Sequence, residues 1–260
     1  MAADADFQHF GQLSVGRISP GVLRIQFGPT WQRRTVYELM RALDLATKDE
    51  DIRIVVLCGN FSIDCGGDSY PLELKQGLVK RTRQRASEAI DHPDPVEEQY
   101  IHEKAANFVM RSLAKKLLGY RKLLVAFVDG RCLGLGFSVS SLCDLVYATE
   151  SATFHPAFSH LDSCAAVGPN WTLPHIRGLL LLGEQADAGS ARNSGLVADV
   201  VKDPQEFWNR IEQYSHLPPS SLLATKKLML RPWRDALLAE LREESTPLAS
   251  QRRRLARPKL

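Results

Sequence analysis

The chain has 260 residues, 44% hydrophobic and 24% charged, long and apolar enough to bury a core without covalent staples. No apolar run approaches the roughly 20 residues of a membrane-spanning helix, and the composition is not that of a disordered chain. Net charge is +3, but residues 252–260 (RRRLARPKL) hold five of the 33 basic residues and no acid, leaving 28 basic against 30 acidic residues elsewhere, so the excess reads as a solvated tail rather than a nucleic-acid face.

Residues 22–27 (VLRIQF) alternate as a strand does and stop at Gly28-Pro29. Thr35 stands three residues before Glu38, a capping-box pattern, ahead of Val36, Leu39, Met40, Leu43 and Ala46. That spacing predicts a helix over 35–48. The run 52–57 (IRIVVL), between Asp51 and Gly59, is too short for a helix and suits a buried strand. The opening therefore reads as β-β-α-β, with 22–27 the one strand delimited before the helix. From 71 to 103 the sequence is polar, with Arg81, Arg83, Arg85, Asp91, Asp94, Glu97 and Glu98 around Pro93 and Pro95, a lid-like insert rather than a core element.

Helical spacing returns over 104–118 (Ala105, Phe108, Val109, Leu113, Leu117), and 122–128 (KLLVAFV) is a second buried strand that turns at Asp129-Gly130. A Gly-rich helix start (LGLGFSVSSLC) and a strand (DLVYA) follow. Then comes an apolar segment broken by Pro156, Gly168, Pro169 and Pro174. After Ala186 we expect a short strand at 196–201 and helices near 204–214, 219–230 and 233–245. Repeated strand-helix units indicate the α/β class. With no linker rich in Gly, Pro or Ser, the chain divides into a core over 1–200, a helical C-terminal region over 201–247 and a basic flexible tail at 248–260.

Two stretches point to chemistry. FSIDCGGD at 61–68 follows one buried strand, and its Gly-Gly turn offers N–H groups to an anion or carbonyl oxygen. GRCLGLG at 130–136 follows the next strand and opens a helix whose dipole favours negative charge. Either alone is as readily a packing turn. A dinucleotide fingerprint needs glycine where GLGFSV has Val139, and no Gly-Lys-Ser/Thr phosphate loop occurs. Two such turns, each after a buried strand, are the arrangement that polarises one carbonyl from two sides. Cys58, Cys65, Cys132, Cys143 and Cys164 include no CxxC pair, so neither a disulfide framework nor a metal site is expected. Cys65 has no local base to make it a nucleophile. The opening MAADADFQHF lacks the pattern of a secretory signal. Cytoplasmic location is the expectation, with the final Pro-Lys-Leu, an echo of the peroxisomal Ser-Lys-Leu address, leaving that destination open.

From FSIDCGGD and VAFVDGRCLGLGFSVSSLCDLVYATESATF to the later ARNSGLVADVV and SLLATKKLML, the chain resembles the enoyl-CoA hydratase/isomerase (crotonase) superfamily between about Leu23 and Glu243. GLGFSV and FHPAFSHL are similar to the peroxisomal-type enoyl-CoA isomerases and chromodomain-Y-like proteins within it. The resemblance implies a spiral of β-β-α units with a helical C-terminal trimerisation region, and a homotrimer or hexamer without membrane or nucleic-acid partners. Its ligand would be an acyl-CoA or acyl-carrier-protein thioester, with coenzyme A or phosphopantetheine part of the substrate and no separate cofactor. The backbone N–H groups of Cys65 and Leu135 would hold the thioester oxygen, with Ile63, Asp64, Gly66, Gly67, Gly134, Ser138, Phe158 and Ala166 lining the substrate site. Arg24, Lys75, Lys80, Arg81 and the tail are read either as contacts to the phosphates of coenzyme A or as solvated charges.

Against the resemblance, the usual carboxylates are replaced. Ser138 and Phe158 stand where hydratases carry their two glutamates, Ala166 where isomerases carry theirs, and His160 where dienoyl isomerases carry an aspartate. Serine and phenylalanine neither activate water nor protonate carbon at neutral pH, so isomerisation or another lyase or decarboxylase step is expected in preference to hydration. His160, with an ordinary pKa of about 6.5, is the preferred proton carrier and also reads as a structural histidine. Asp162 is either a new acid or a turn residue; His155 and Cys164 are lesser candidates. The competing reading is a non-catalytic thioester-binding or assembly subunit of the same fold.

Overall fold

In a computed structural model the described residues are 7, 9–31, 33–63, 108–156, 176, 178–232, 235–236 and 238–239. Among them ten strands divide between two sheets, and the division follows chain order. β1 (Leu13–Ser19) and β2 (Val22–Phe27) form an antiparallel hairpin, and after helix α1 (Arg33–Lys48) strand β3 (Ile54–Gly59) lies parallel to β2. The chain then crosses to the second sheet as β4 (Phe61–Ile63). Helix α2 occupies 108–118, and the crossing recurs: β5 (Leu123–Val128) in the first sheet leads to β6 (Arg131–Gly134) in the second. Helix α3 (Leu135–Ser141) follows, then β7 (Leu145–Thr149) in the first sheet and β8 (Thr153–His155) in the second. A π-helical turn at Gly178–Leu182 is followed by β9 (Ala186–Asp187), α4 (Ala188–Asn193), β10 (Asp199–Val201), α5 (Pro204–Ser215) and α6 (Pro219–Leu230). The large sheet runs β1-β2-β3-β5-β7-β10 and the small one β4-β6-β8-β9.

The central strands are apolar along their whole length because both faces of the large sheet are covered, as parallel sheets require. Leu23, Ile25, Val55, Leu57, Leu124 and Ala126 face the main core with Leu39 and Leu43 of α1 and Leu113 and Leu117 of α2. The alternate residues Val22, Ile54, Val56, Val125 and Phe127 face a second cluster closed by Phe207 and Ile211 of α5. There Phe127 and Phe207 stack with centroids 4.1 Å apart and planes 5° off parallel.

The strand at 22–27 and the helix at 219–230 fall where the sequence puts them. The strand expected at 52–57 starts two residues later, because the N–H groups of Arg53 and Ile54 both donate to the Gly21 carbonyl, at 2.8 and 2.9 Å, before the ladder begins. Helix α1 starts at Arg33 rather than at the capping pattern. Thr35 is therefore inside the first turn, and Glu38 accepts from the N–H groups of Gly11 (3.1 Å) and Gln12 (2.7 Å) and from Arg34 Nε (2.7 Å). Of the helices expected at 104–118 and 233–245, only parts lie within the described residues, and those parts are helical. The insert at 71–103 and the tail at 248–260 lie outside them. Among the described residues no helix is long and apolar enough to cross a membrane.

Candidate functional site

The small sheet positions the site. β4, β6 and β8 are parallel, with Ile63 opposite Gly134 and Leu133 opposite His155, and neighbouring strands lie about 4.8 Å apart. Their C-terminal ends therefore share one edge, where the chain departs toward residue 64, toward Leu135 and toward Pro156. Cys65 is two residues beyond Ile63, and Leu135 one beyond Gly134. Cys65 lies outside the described residues, as do Asp64, Gly66, Gly67, Phe158, His160, Asp162, Ala166 and Cys164. Of the expected site residues, the structure describes Ile63, Gly134, Leu135 and Ser138, together with the lesser candidate His155.

Strand β6 becomes helix α3 without an intervening loop. Gly134 makes the change at φ 57° and ψ −117°, backbone that residues with a Cβ resist. Leu135 is the first residue of α3, so its N–H has no carbonyl partner inside the helix, and its side chain, 3% exposed in the main core, fixes where that N–H sits. Gly136 seats the first turn on β4: a Cβ there would stand 1.8 Å from the Phe61 carbonyl oxygen. Ser138 is fully buried, and its carbonyl accepts from Ser141 Oγ at 2.8 Å. On the next turn Ser140 Oγ donates to the Phe137 carbonyl at 2.9 Å and lies 3.5 Å from Cys132 Sγ.

Burial pushes the thiols of Cys58 and Cys132 up to about 12 and that of Cys143 well above its ordinary value. None of the three is a thiolate at neutral pH, so none serves as a nucleophile. Arg24 pairs with Val56 and Gly16 in the middle of β2, on the face of Val22 and the second cluster. It is half-buried, and its Nε is enclosed without a hydrogen-bond partner among the described residues. Among the described residues no group of three or more His, Cys, Asp or Glu side chains converges as a metal site.

The enoyl-CoA hydratase/isomerase family profile matches residues 21–254. The chain belongs to the enoyl-CoA hydratase/isomerase family. Human enoyl-CoA delta isomerase 2 is 30% identical over 244 residues, 88% of this chain and 57% of that protein. Mouse chromodomain Y-like protein 2 is 26% identical over 223 residues, 82% of this chain and 40% of its own length. The chain thus spans about half the length of the curated relatives it matches. The crystal structure of an enoyl-CoA hydratase/isomerase from Pseudoalteromonas atlantica T6c superposes with a TM-score of 0.72 at 23% identity, over 95% of this chain and 93% of that one. That likeness identifies the α/β fold as crotonase-like.

Sequence reasoning found the glycine-bearing passage from β6 into α3 but missed β4, β6, β8 and β9; the Gly66-Gly67 stretch lies outside the described residues. The available signal was a turn residue soon after each buried strand: Gly59 before Phe61, Gly130 before Arg131 and Ser151 before Thr153.

Proposed function

We propose that the chain binds the acyl group of a coenzyme A or carrier-protein thioester and promotes double-bond isomerisation, or another lyase or decarboxylase step, through an enolate held by the backbone N–H groups of Cys65 and Leu135. The observation that supports this reading is the Ile63–Gly134 pairing, which sets the end of β4 beside the residue before Leu135. Removing a proton beside the thioester carbonyl moves negative charge onto its oxygen. A preorganised N–H donor at that oxygen is worth about 10²–10³ in rate. Isomerisation of a 3-enoyl thioester then needs one group that takes a proton from C2 and returns it at C4, with no water added. Such chemistry suits a site with Ser138 and Phe158 in place of acids, and His160 is the proposed carrier, with Asp162 the second candidate. The 30% identity to human enoyl-CoA delta isomerase 2 supports isomerase over hydratase. Exposed Leu181 and Leu182, at 71% and 65%, support assembly as a homotrimer or hexamer.

A second reading, a thioester-binding or assembly subunit without turnover, is favoured by Ser138, a buried hydroxyl at the position that the resemblance assigns to a hydratase glutamate. A panel of 3-enoyl, dienoyl, β-carboxyacyl and crotonyl thioesters separates the two. We expect turnover of at least one isomerase-type substrate, with hydration about a thousandfold below a competent hydratase. Leu135→Pro, whose ring suits the first position of a helix but removes the N–H, should lower turnover by about 10²–10³. His160→Gln should abolish turnover while sparing affinity. A panel that binds but never reacts leaves the second reading. Undiminished turnover in Leu135→Pro overturns the donor assignment.

A further inference from the structure

Between Gly59, the last residue of β3, and Phe61, the first of β4, a single residue carries the chain from the large sheet to the small one. That residue, Asn60, belongs to neither strand, so its polar groups need partners from outside the ladders. Its carbonyl accepts from the Trp31 indole Nε1 at 2.9 Å, its Nδ2 donates to the Pro29 carbonyl at 2.5 Å, and its Oδ1 accepts from the N–H of Ser62 at 2.9 Å. Two bonds of opposite sense therefore tie Asn60 to the loop between β2 and α1, and the third ties it to β4. Trp31 is held in turn by its ring, whose centroid lies 4.2 Å from that of Phe27, and Phe27 meets Phe61 edge-on at 5.3 Å. Gly59 brings the crossing hard against β2: it takes φ 93°, and a Cβ there would stand 2.5 Å from the Phe27 carbonyl oxygen.

This latch holds the Phe61 peptide. β4 is only three residues long, so its ladder alone fixes Phe61 weakly, and the residue before it sets where the chain enters the small sheet. The first turn of α3 rests on the Phe61 carbonyl, since a Cβ on Gly136 would meet its oxygen at 1.8 Å and its carbon at 2.6 Å. Leu135, whose N–H has no partner inside the helix, is the neighbour of Gly136 in that turn. A shift of Asn60 passes through backbone alone, to Phe61 and then to Gly136, with no flexible side chain between them to absorb it.

We infer that Trp31 and Asn60 are positioning residues for the Leu135 N–H, acting through the Phe61 carbonyl. The inference rests on the reading of Leu135 as a donor to the thioester oxygen. A main-chain donor cannot be re-aimed by a change of rotamer, so its place is set by what it is packed on. A displacement of about 1 Å at a reacting centre costs about 10²-fold in rate, whereas one neutral hydrogen bond is a small part of the stability of a chain this long. Loss of the latch therefore affects carbonyl polarisation more than folding.

The test uses the full chain and the coenzyme A thioester of para-dimethylaminocinnamic acid, whose absorption moves to longer wavelength when its carbonyl oxygen is polarised, a readout that needs no turnover. Trp31→Phe keeps a ring against Phe27 and loses the indole N–H. Asn60→Asp keeps an oxygen for Ser62 and loses the donor to Pro29. Both should bind the probe within about tenfold of wild-type affinity and show less than about half of the wild-type red shift. On an isomerase-type substrate kcat should fall by about 10- to 100-fold with KM little changed. Trp208→Phe trims an indole on the other face of the large sheet and should keep the wild-type shift. A full shift in either Trp31→Phe or Asn60→Asp overturns the inference, as does an equal loss in Trp208→Phe. Leu135→Pro separates the two levels. A shift lost there but kept in Trp31→Phe and Asn60→Asp leaves the donor standing and removes the latch. A shift kept in Leu135→Pro, or a probe that the wild-type chain does not bind, overturns the donor reading and the inference with it. Should Trp31→Phe fail to fold, Asn60→Asp decides.

Discussion

Gly136→Ala perturbs the joint on which the proposed site rests. The added Cβ would lie 1.8 Å from the Phe61 carbonyl oxygen, 2.6 Å from its carbon and 3.0 Å from Phe61 Cα. Ordinary contact begins at 3.4 Å, so α3 and β4 must part by about 1.6 Å along that line. The obstacle is backbone, and β4 is itself paired with β6, which runs directly into α3. No flexible side chain can swing aside. Overpacking costs about 1–3 kcal/mol where side chains adjust, and a backbone clash belongs at or above the upper end. At about 2–4 °C per kcal/mol for a domain of this size, 3 kcal/mol lowers Tm by about 6–12 °C. Leu135 is the adjacent residue, and a displacement of about 1 Å at a reacting centre costs about 10²-fold in rate. The control is Gly16→Ala in β1, where a Cβ meets nothing within 4 Å and the expected change is within about 0.5 kcal/mol. Calorimetric melting and thioester turnover of both variants form the assay. A Gly136→Ala protein that melts within about 1 °C of wild type and turns over normally would refute the packing argument.

Two further outcomes follow from buried polar groups. A thiol at about 12 is about one part in ten thousand thiolate at about pH 8, so Cys58 and Cys132 should resist a thiol reagent in the native protein and react in urea. Peptide mapping that finds either labelled within minutes under native conditions would contradict the burial argument. Glu38→Gln should cost about 1.5–3 kcal/mol at neutral pH, since charge-assisted bonds to Gly11, Gln12 and Arg34 are weakened. Because the native pKa of Glu38 lies below its ordinary 4.5, that stability is present above 4.5 and is lost as pH falls through the lowered value. The gap between variant and wild type in urea midpoints should therefore narrow toward about pH 3, and a constant gap would refute the assignment.

Legibility in the sequence followed element length and the range of the force involved. The runs IVVL and LLVAFV were readable because two covered faces demand unbroken apolar character. The end of α1 and both ends of α6 fall where the sequence puts them. The start of α1 was not, because Glu38 is drawn to N–H groups 26 and 27 residues away, a tertiary contact that local capping patterns do not encode. Strands of two to four residues such as β4, β6, β8 and β9 carry at most two cycles of alternation. Their existence is decided by the sheet they join. Gly134 and Gly136 were visible as glycines, and the sequence excluded a dinucleotide fingerprint and a phosphate loop, but the packing that requires Gly136 depends on Phe61, 75 residues before it in the sequence. Register, not sequence, reveals that Arg24 lies mid-strand on the second-cluster face.

The distinction between backbone and side-chain chemistry explains how such a site can hold one function while its acids change. A donor made of main-chain N–H is constrained by packing: Gly134 must take φ 57° and Gly136 must clear the Phe61 carbonyl, whatever stands at neighbouring surface positions. An acid or base is constrained only by its own side chain. Ser138 is the fourth residue of α3 and has no exposed surface, so on the proposed reading a hydroxyl in place of a carboxylate there would remove a charge without moving the sheet edge from which Leu135 departs. On the proposed reading, stabilisation of a thioester oxygen and choice of proton carrier are separable in this architecture. The decisive substrate panel therefore keeps the thioester constant and varies the acyl group.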